Sequence, residues 1–340
     1  MSIYGLTKEK LETILIENGF KKYNASQIIE WVYKKKETDF NNMTNLSKNL
    51  ISFCVDNFTI SNLKLIKKET SKLANKYLFE LSDNNKIECV LMFHDYGNSL
   101  CISSQVGCNM GCAFCESGRL KKVRDLETSE LINQIISVSS IENIRIDYVV
   151  VMGIGEPFDN FENIKDFISI VTNPFMMEIG QRHITISTCG IVPKIKEFTK
   201  LDTQVNLAIS LHAPNDEIRN QIMKINKAYC IKEVVDAIDY YISKTNRRVT
   251  IEYIMLSGIN DTKECAKELS NLFKGKLVYI NLIPYNETSN LNFKRSNDFK
   301  IREFYDILKT NNVNVTIRKE MGSNLSAACG QLRAQSEGDK

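Results

Sequence analysis

Three cysteines stand within eight residues, at Cys108, Cys112 and Cys115, in the spacing CxxxCxxC. Asn109 and Gly111 between them indicate an exposed loop rather than an apolar core. Zinc prefers four ligands, and the chain has no second CxxC or HxxxH to complete a structural tetrahedron. Thiolates also hold iron–sulfur clusters, and a cubane cluster on three cysteines keeps one iron open. The triplet therefore predicts a catalytic iron–sulfur site, with plain buried cysteines and a zinc site as alternatives.

The composition restricts the class of protein. The 340 residues are 43% hydrophobic and 25% charged, which excludes disordered, collagenous and coiled-coil chains. No apolar run approaches the ~18–20 residues of a membrane span, and the N-terminus lacks a secretory signal. We therefore expect a cytoplasmic protein with no membrane partner, whose ten cysteines form no disulfide scaffold. The net charge of +3 does not by itself indicate nucleic acid.

Short apolar strands that alternate with helices must position the triplet. The predicted strands are 100–103, 147–152, 183–187, 205–210, 248–255 and 277–283. The predicted helices are 127–139, 163–171, 232–243, 263–273 and 298–310. This alternation predicts a parallel sheet, either open or rolled into a full or partial barrel, with its chemistry at the carboxyl ends of the strands. Before it, residues 1–60 have the pattern of short amphipathic helices, and 63–92 that of a small antiparallel element.

The chain resembles one known family in seven segments. The triplet, with the aromatic Phe114 before its last cysteine, is similar to the signature of the radical S-adenosylmethionine (SAM) superfamily. Within it, the chain resembles the RlmN/Cfr family of RNA adenine methyltransferases nearly end to end. The segments are MTNLSK at 43–48, SSQVGC at 103–108, MGIGEPFDN at 152–160, ISTCGIVPKI at 186–195, LAISLHAPNDEIR at 207–219, NLIPYN at 281–286 and AACGQLRA at 327–334. GEPFDN and SLHAPND are closer to RlmN than to Cfr.

The resemblance implies a fold and its divisions. The expected class is α/β, a partial (β/α)6 TIM-like radical SAM barrel with a small N-terminal helical accessory domain. Residues 1–62 would be the RNA-binding accessory domain and 63–93 a small β extension. Residues 94–327 would be the radical SAM core, and 328–340 a tail that carries a methylated cysteine.

The resemblance also implies the cofactors and their contacts. Cys108, Cys112 and Cys115 would hold a 4Fe–4S cluster whose fourth iron is open to SAM. The implied SAM contacts follow predicted strands and are Gly155, Glu156, Ser187, Ser210, Leu211, His212 and Asn286. Outside this family, the GxG after a strand would be an ordinary turn, and Phe158 in place of a third glycine excludes a dinucleotide fingerprint.

Three further residues receive catalytic roles by resemblance. Cys329 would take a methyl group from one SAM, and a radical made from a second SAM would abstract hydrogen from that methyl. The carbon would then add to adenine, giving an RNA–protein adduct. Glu88 matches the family's proposed proton acceptor. Cys101 would release the product by attacking Cys329, which forms a transient disulfide.

The implied substrates are an adenosine of 23S rRNA, in the peptidyl-transferase centre, and the adenosine 3′ of certain tRNA anticodons. Carbon 2 is the expected target, with Cfr-type carbon-8 methylation as the close alternative. A non-catalytic iron–sulfur or zinc RNA-binding module is the alternative from another class. An electron donor such as flavodoxin or ferredoxin and a monomeric state are also expected.

Local departures from the family concern two segments. Glu116 follows the triplet where a small residue is usual, and no glycine occurs at 119–123. Lys224 stands where the family usually has proline. The basic run Arg119, Lys121, Lys122 and Arg124 could meet RNA phosphates at the mouth of the site, although such a run is more often a solvated face.

Overall fold

The computed structural model describes residues 1–288, 290–318 and 331–332. Twelve strands lie in this part of the chain. They are β1 (Lys64–Thr70), β2 (Ala74–Glu80), β3 (Lys86–His94), β4 (Gly97–Ile102), β5 (Gln105–Val106), β6 (Arg124–Asp125), β7 (Tyr148–Val151), β8 (Ile184–Thr188), β9 (Asn206–Ser210), β10 (Val249–Met255), β11 (Val278–Pro284) and β12 (Val315–Ile317).

Ten α-helices lie in the same ranges. They are α1 (Lys8–Glu17), α2 (Tyr23–Ile29), α3 (Lys48–Asn57), α4 (Thr128–Glu142), α5 (Phe161–Thr172), α6 (Val192–Phe198), α7 (Asp216–Ile222), α8 (Ile231–Thr245), α9 (Lys263–Phe273) and α10 (Asp298–Thr310). None of these helices is long and apolar enough to cross a membrane.

The main structural element is one ten-stranded sheet. Ten strands are hydrogen-bonded in the order β1-β2-β3-β4-β7-β8-β9-β10-β11-β12, while β5 and β6 form a separate two-stranded ribbon. The sheet is antiparallel from β1 to β4 and parallel from β4 to β12. The order has two ends in the described residues, so the parallel part is an open, partial barrel. The expected α/β partial barrel is confirmed.

The β extension belongs to the same sheet as the barrel. β3 pairs with β4 in antiparallel register, and Val90 lies opposite Cys101. β4 in turn pairs with β7 in parallel, and Cys101 lies opposite Val150 on that side. The antiparallel strands therefore extend the barrel wall instead of packing on it as a separate layer.

The N-terminal helices pack on the barrel through α4. A Cβ on Gly5 would lie 3.1 Å from Ser129, and the Ser137 hydroxyl accepts a 3.0 Å hydrogen bond from the backbone N–H of Leu63. Buried side chains of both layers, such as Leu11 and Leu131, belong to one continuous hydrophobic core. Burial of this apolar surface is the main force that joins the helical layer to the barrel.

Several helices after the strands begin at side-chain caps. Asn215, Thr262 and Asn297 each accept a hydrogen bond from a backbone N–H in the first turn of α7, α9 and α10. Such caps satisfy donors that have no partner inside the helix. The chain therefore turns sharply where each strand ends, and these turns line the end of the barrel that holds the cysteine triplet.

Candidate active site at the carboxyl ends of the strands

The three cysteines lie on one loop that follows β5. Gly107 has φ +73°, and a Cβ there would lie 2.1 Å from the backbone oxygen of Lys121. Only glycine fits so close a backbone approach at positive φ. A Cβ on Gly118 would likewise lie 2.7 Å from the backbone oxygen of Cys112. The segment after the triplet thus folds back onto the loop and holds Cys108 and Cys112 in place.

The thiols have the chemistry of cluster ligands. Burial raises the pKa of Cys108 to about 12, and it also raises the pKa of Cys112, with the neighbouring Cys115 adding to both. Such thiols give up their protons when a metal binds, because the metal compensates the negative charge. No three Cys, His, Asp or Glu side chains of the described ranges converge tightly enough for a single metal ion. The three thiols instead surround one cavity, and this donor set fits an iron–sulfur cluster.

That cavity also gathers most of the predicted SAM contacts. Gly155, Glu156, Ser187, Ser210 and His212 line it together with the three cysteines. They come from the ends of β7, β8 and β9 and the turns that follow, as a barrel site requires. Leu211 is fully buried in the main core and does not line the cavity, and Asn286 lines the adjoining chamber instead.

Backbone amides hold the Glu156 carboxylate in the cavity wall. Its two oxygens accept hydrogen bonds from the N–H groups of Cys189, at 2.7 Å, and Phe158, at 2.9 Å. Burial raises the pKa of Glu156, while these hydrogen bonds lower it. The backbone N–H of Glu156 donates to Gln105 at 2.9 Å, so the turn after β7 is tied to β5. The carboxylate is therefore fixed, and it can face a cationic group in the cavity.

His212 is a neutral histidine with an assignable tautomer. Its Nδ1 accepts a 3.0 Å hydrogen bond from the backbone N–H of Ile254, so the proton of the neutral ring is on Nε2. Burial, with a smaller effect of Arg219, lowers the pKa of His212 to about 3. The ring packs edge-on against Phe114, with centroids 5.0 Å apart. His212 can therefore donate from Nε2, and it joins the end of β9 to the cysteine loop.

Arg219 is a central residue to which the sequence assigned no role. It is fully buried, and its guanidinium donates to the backbone oxygens of Leu211 at 3.2 Å, Cys189 at 2.7 Å and Tyr229 at 3.0 Å. It also donates to the Asn226 side chain at 2.9 Å. One cation thus joins the ends of β8 and β9 to the segment after α7. Its only signal in the sequence was its place at the end of the family-like segment LAISLHAPNDEIR at 207–219, which by itself indicates no contact.

A second, larger chamber adjoins the cysteine cavity. It has a volume of ≈ 680 Å³, within the range of ligand pockets. Met152, Glu252, Ile283 and Arg318 line both spaces and separate them. Glu252 is buried on β10, where Asn281 donates a 2.9 Å hydrogen bond to its carboxylate. The sequence analysis did not identify Glu252 as a site residue, because it lies within a strand that is otherwise mostly apolar.

Cys101 lies in the wall of the larger chamber. Its side chain is buried and packs with Val90, Ile154 and Leu332. Glu88 lies two residues before Val90 on β3, so strand alternation places both on the face that bears Cys101. The Glu88 carboxylate is buried, with one oxygen 3.4 Å from the Lys76 ammonium.

Two residues of the C-terminal segment connect the two spaces. The backbone oxygen of Leu332 accepts a 2.6 Å hydrogen bond from the Ser117 hydroxyl, and Ser117 lines the cysteine cavity. The side chain of Leu332 belongs to the same buried cluster as Cys101, and both line the larger chamber. Gln331 donates a 3.2 Å hydrogen bond to the backbone oxygen of Glu287. Cys329 lies outside the described residues, and the nine described cysteines are free thiols.

Both departures from the family have a structural place. Glu116 is buried, and Asn290 donates a 3.3 Å hydrogen bond to its Oε2. Its Oε1 has no hydrogen-bond partner in the described part of the chain, which leaves an acceptor beside Cys115 that fits a polar ligand group. Lys224 lies over the cysteine loop, since a Cβ on Gly111 would be 3.1 Å from its Cδ and 3.3 Å from its Nζ.

The basic run after the triplet is largely engaged within the chain. Arg124 bonds Asp83 at 2.7 Å and Glu130 at 2.7 Å, and Lys122 lies 2.8 Å from Asp125. Arg119 donates to the backbone oxygen of Asn290 at 2.9 Å. These pairs hold the segment against its neighbours and reduce the positive charge that the run offers to phosphates.

Comparisons with known proteins agree with this geometry. The sequence profile of the radical SAM superfamily matches residues 102–269, and that of the ribosomal RNA large subunit methyltransferase N-terminal domain matches residues 1–52. A Spiroplasma citri protein named "Probable dual-specificity RNA methyltransferase RlmN" is 51% identical over 99% of this chain and 98% of its own. A protein of the same name from Acholeplasma laidlawii is 52% identical over 98% of this chain and 99% of its own.

A solved structure has the same fold over nearly the whole chain. The crystal structure of a radical SAM methyltransferase from Sphaerobacter thermophilus superposes with a TM-score of 0.93 at 37% identity, covering 98% of this chain and 100% of its own. Membership of the radical SAM superfamily implies a 4Fe–4S cluster and SAM as cofactors, in agreement with the three thiols and the cavity between them. Full-length identity of about half the residues, both profiles and this structure lead to one conclusion: the chain belongs to the RlmN family of radical SAM RNA methyltransferases.

Proposed function

We propose that this enzyme methylates carbon 2 of an adenosine in 23S rRNA and of the adenosine 3′ of tRNA anticodons. Two SAM molecules would be used per methyl group, with a methyl-cysteine at Cys329. The relatives carry the name dual-specificity RNA methyltransferase, which supports two kinds of RNA substrate. Electrons would come from a small donor such as flavodoxin or ferredoxin, and the enzyme would act as a monomer.

One observation carries the proposal, namely the position of Leu332. Its backbone oxygen is hydrogen-bonded to Ser117 beside the cysteine cavity, and its side chain shares a buried cluster with Cys101 in the wall of the larger chamber. Cys329 is three residues earlier in the chain, and three residues span at most about 10 Å. This short separation along the chain supports a role for Cys329 between the two spaces. An intermediate carried on that thiol could receive its methyl group on one side and meet the RNA on the other.

The residues of the chain would divide the work. When bound, the cluster and SAM supply the methyl group and the one-electron chemistry that removes hydrogen from it. The three cysteines hold the cluster, Glu156 faces the cationic end of SAM, and His212 and Ser210 offer polar contacts at the same wall. Gly155, Ser187, Leu211 and Asn286 would complete the SAM contacts.

Release of the methylated RNA would depend on Glu88 and Cys101. Once the methylene carbon is bonded to the adenine ring, the unpaired electron of the adduct would pass to the oxidised cluster, and Glu88 would accept the ring proton. The Cys101 thiolate would then attack the sulfur of Cys329, so that the bond between this sulfur and the methylene carbon breaks. The electron pair of that bond stays on the methylene carbon, which takes up a proton and becomes the methyl group of the product. A Cys101–Cys329 disulfide forms in this step, and an external thiol must reduce it before the next turnover.

Variants of the two cysteines test this route. Cys329→Ala should abolish methylation of both protein and RNA while the cluster content stays unchanged. Cys101→Ala should still accept a methyl group and should accumulate a covalent RNA–protein adduct, because nothing releases it. The matched control is Cys54→Ala, a buried thiol of α3 in the N-terminal layer. RNA methylation by Cys329→Ala at the wild-type rate would refute the covalent route.

The methylated carbon needs a separate measurement. RNA from a host that expresses the protein should contain 2-methyladenosine by mass spectrometry against synthetic standards. 8-Methyladenosine as the sole product would show the Cfr-type reaction instead. Reconstitution under anaerobic conditions excludes the binding-module alternative if the protein cleaves SAM with a reductant.

A further inference from the structure

The larger chamber extends along the strands to their amino ends, opposite the cysteine loop. Its wall on β11 begins at Tyr279 and ends at Pro284, six residues whose five rises span about 16 Å in a strand. Cys101 and Leu332 line one part of the chamber, and His94, Tyr96 and Arg248 line another. The chamber therefore has a second mouth at the amino ends of the strands.

Aromatic and cationic side chains surround this second mouth. We call Tyr96, His94, Tyr279 and Arg248 the aromatic rim. Tyr96 is 65% exposed, yet its ring stacks on His94 with centroids 4.6 Å apart and planes 11° apart. Arg248 lies over the Tyr279 ring at 4.8 Å. Arg248 has no carboxylate within ion-pair distance in the ranges that the structure describes.

The turn that carries Tyr96 is held rigidly. It connects β3 and β4, and Gly97 packs on Asp147 so closely that a Cβ would lie 2.7 Å from the carboxylate. The Asp147 carboxylate also accepts a 2.9 Å hydrogen bond from the N–H of Asn98. Tyr148, the next residue, packs edge-on against Tyr96 at 5.2 Å. The fold already holds this large exposed ring in one orientation. A base that stacks on it therefore causes little further loss of side-chain conformational entropy.

The chemistry of the aromatic rim fits an unpaired nucleotide. Unpaired bases are recognised by stacking on aromatic rings and on arginine planes, and a free cation attracts phosphates. At its other end the chamber adjoins the cysteine cavity, with which it shares Glu252 and Arg318 as lining residues. The aromatic rim surrounds the opposite end, where Tyr96 is exposed and a base can enter.

We propose that the aromatic rim binds the nucleotide next to the target adenosine, with its base stacked on Tyr96 and its phosphate near Arg248. Tyr96 immediately precedes β4 and is five positions from Cys101, about 16 Å at the rise of a strand. A flipped target nucleotide with its base at Cys101 extends its ribose and phosphate towards the aromatic rim, so the flanking nucleotide comes next to the rim. This inference rests on the proposed RNA substrate and assigns a substrate-binding surface outside the SAM cavity.

Binding of a synthetic anticodon stem–loop RNA by the reconstituted enzyme tests the proposal. Tyr96→Ala should weaken the Kd about tenfold or more, the usual cost of losing one base–aromatic stack, and Tyr96→Phe should stay within twofold of wild type. Phe299→Ala is the matched control, because this ring of α10 is 74% exposed and lies outside the aromatic rim. Its Kd should be unchanged.

Abasic substitutions identify the nucleotide. When an abasic residue replaces the neighbour of the target adenosine, the affinity of the wild type should fall by the same factor as Tyr96→Ala causes with intact RNA. The abasic substitution should then cause no further loss of affinity in Tyr96→Ala. An abasic target should leave the effect of Tyr96→Ala intact. Binding of Tyr96→Ala within twofold of wild type, or a loss that is the same with every abasic RNA, would overturn the proposal. Because binding precedes turnover, these outcomes do not depend on which carbon is methylated.

Discussion

The hydroxyl of Ser117 donates a 2.6 Å hydrogen bond to the backbone oxygen of Leu332, a residue 215 positions later in the chain. Ser117 lies two residues after Cys115, so the bond ties the segment that follows Cys329 to the cluster loop. It connects the loop of the thiols that would hold the cluster with a residue of the buried cluster around Cys101.

Removal of this hydroxyl should affect catalysis more than stability. Ser117→Ala should lower the free energy of unfolding by about 1 kcal/mol, the typical value of one hydrogen bond. It should lower the rate of RNA methylation about ten- to a hundredfold, because small displacements of reacting groups are costly. Denaturation curves and single-turnover assays measure the two effects. Ser139→Ala removes a hydrogen bond of equal length, to the backbone oxygen of Ile144 at the carboxyl end of α4, and should lower stability only. Equal activities of the two variants would contradict the positioning role.

Cluster incorporation should depend on Gly107. A methyl group at this position would meet the Lys121 oxygen at 2.1 Å in a backbone with φ +73°, so Gly107→Ala must displace the loop. We expect iron and sulfide to fall below about half of the wild-type content after reconstitution. Gly275→Ala has a similar φ, +76°, and no atom within 4 Å of the new Cβ. It should cost only about 1 kcal/mol of backbone strain and keep its full iron content. Normal iron content in Gly107→Ala would show that the loop tolerates this displacement.

The buried, neutral His212 should make the fold less stable in mild acid. Its pKa is about 3 in the folded protein and near 6.5 when unfolded, so the unfolded chain binds more protons between these values. The contribution of the neutral His212 to the free energy of unfolding is therefore complete above pH 6.5, and it declines as the pH falls towards 3. From pH 7.5 to 5 this group should remove about 2 kcal/mol from the free energy of unfolding.

Urea unfolding at both pH values measures this effect. His212→Asn should show a shallower decline, because asparagine also tolerates the φ of +58° and does not titrate in this range. His183→Asn, an exposed histidine, should decline as the wild type does. An identical pH dependence of the wild type and His212→Asn would exclude the histidine as the cause.

The ammonium of Lys224 should raise the reduction potential of the cluster. It lies against Gly111 of the cysteine loop, and a nearby positive charge favours the reduced, more negative cluster. Lys224→Met should lower the potential by a few tens of millivolts in a redox titration monitored by electron paramagnetic resonance. Lys232→Met is the control, because this lysine is paired with Asp236 on α8. A potential that is unchanged or higher in Lys224→Met would refute the effect.

The regular elements of the barrel could be predicted from the sequence because each has its own periodic pattern. The segments predicted at 205–210 and 248–255 correspond to β9 and β10, and the helix predicted at 263–273 has the same limits as α9. The strand β12 and the helices α6 and α7 were missed. These elements have three to seven residues, which is too short for a helical or strand periodicity of apolar residues to show in the sequence.

Five of the SAM contacts predicted from the seven family-like segments line one cavity. The segments could not show which predicted residues line the cavity and which are buried in the core. Leu211 follows Ser210 in the same motif and is buried, because its side chain points to the other face of the chain. Asn286 lies beyond the partition formed by Glu252 and Arg318. These differences of a few ångströms depend on how strands pack, and motifs do not encode them one residue at a time.

By itself, the sequence determined the local chemistry: three thiols on a glycine-containing loop, and polar residues where strands end. These follow from neighbours in the chain, whose spacing is fixed by covalent geometry. Only the tertiary structure decided that Arg219 holds two strand ends, that Leu332 joins Ser117 to Cys101, and that Tyr96 stands at a second mouth of the chamber. Such contacts join residues far apart in the sequence. They form only because burial of the common core brings their strands together.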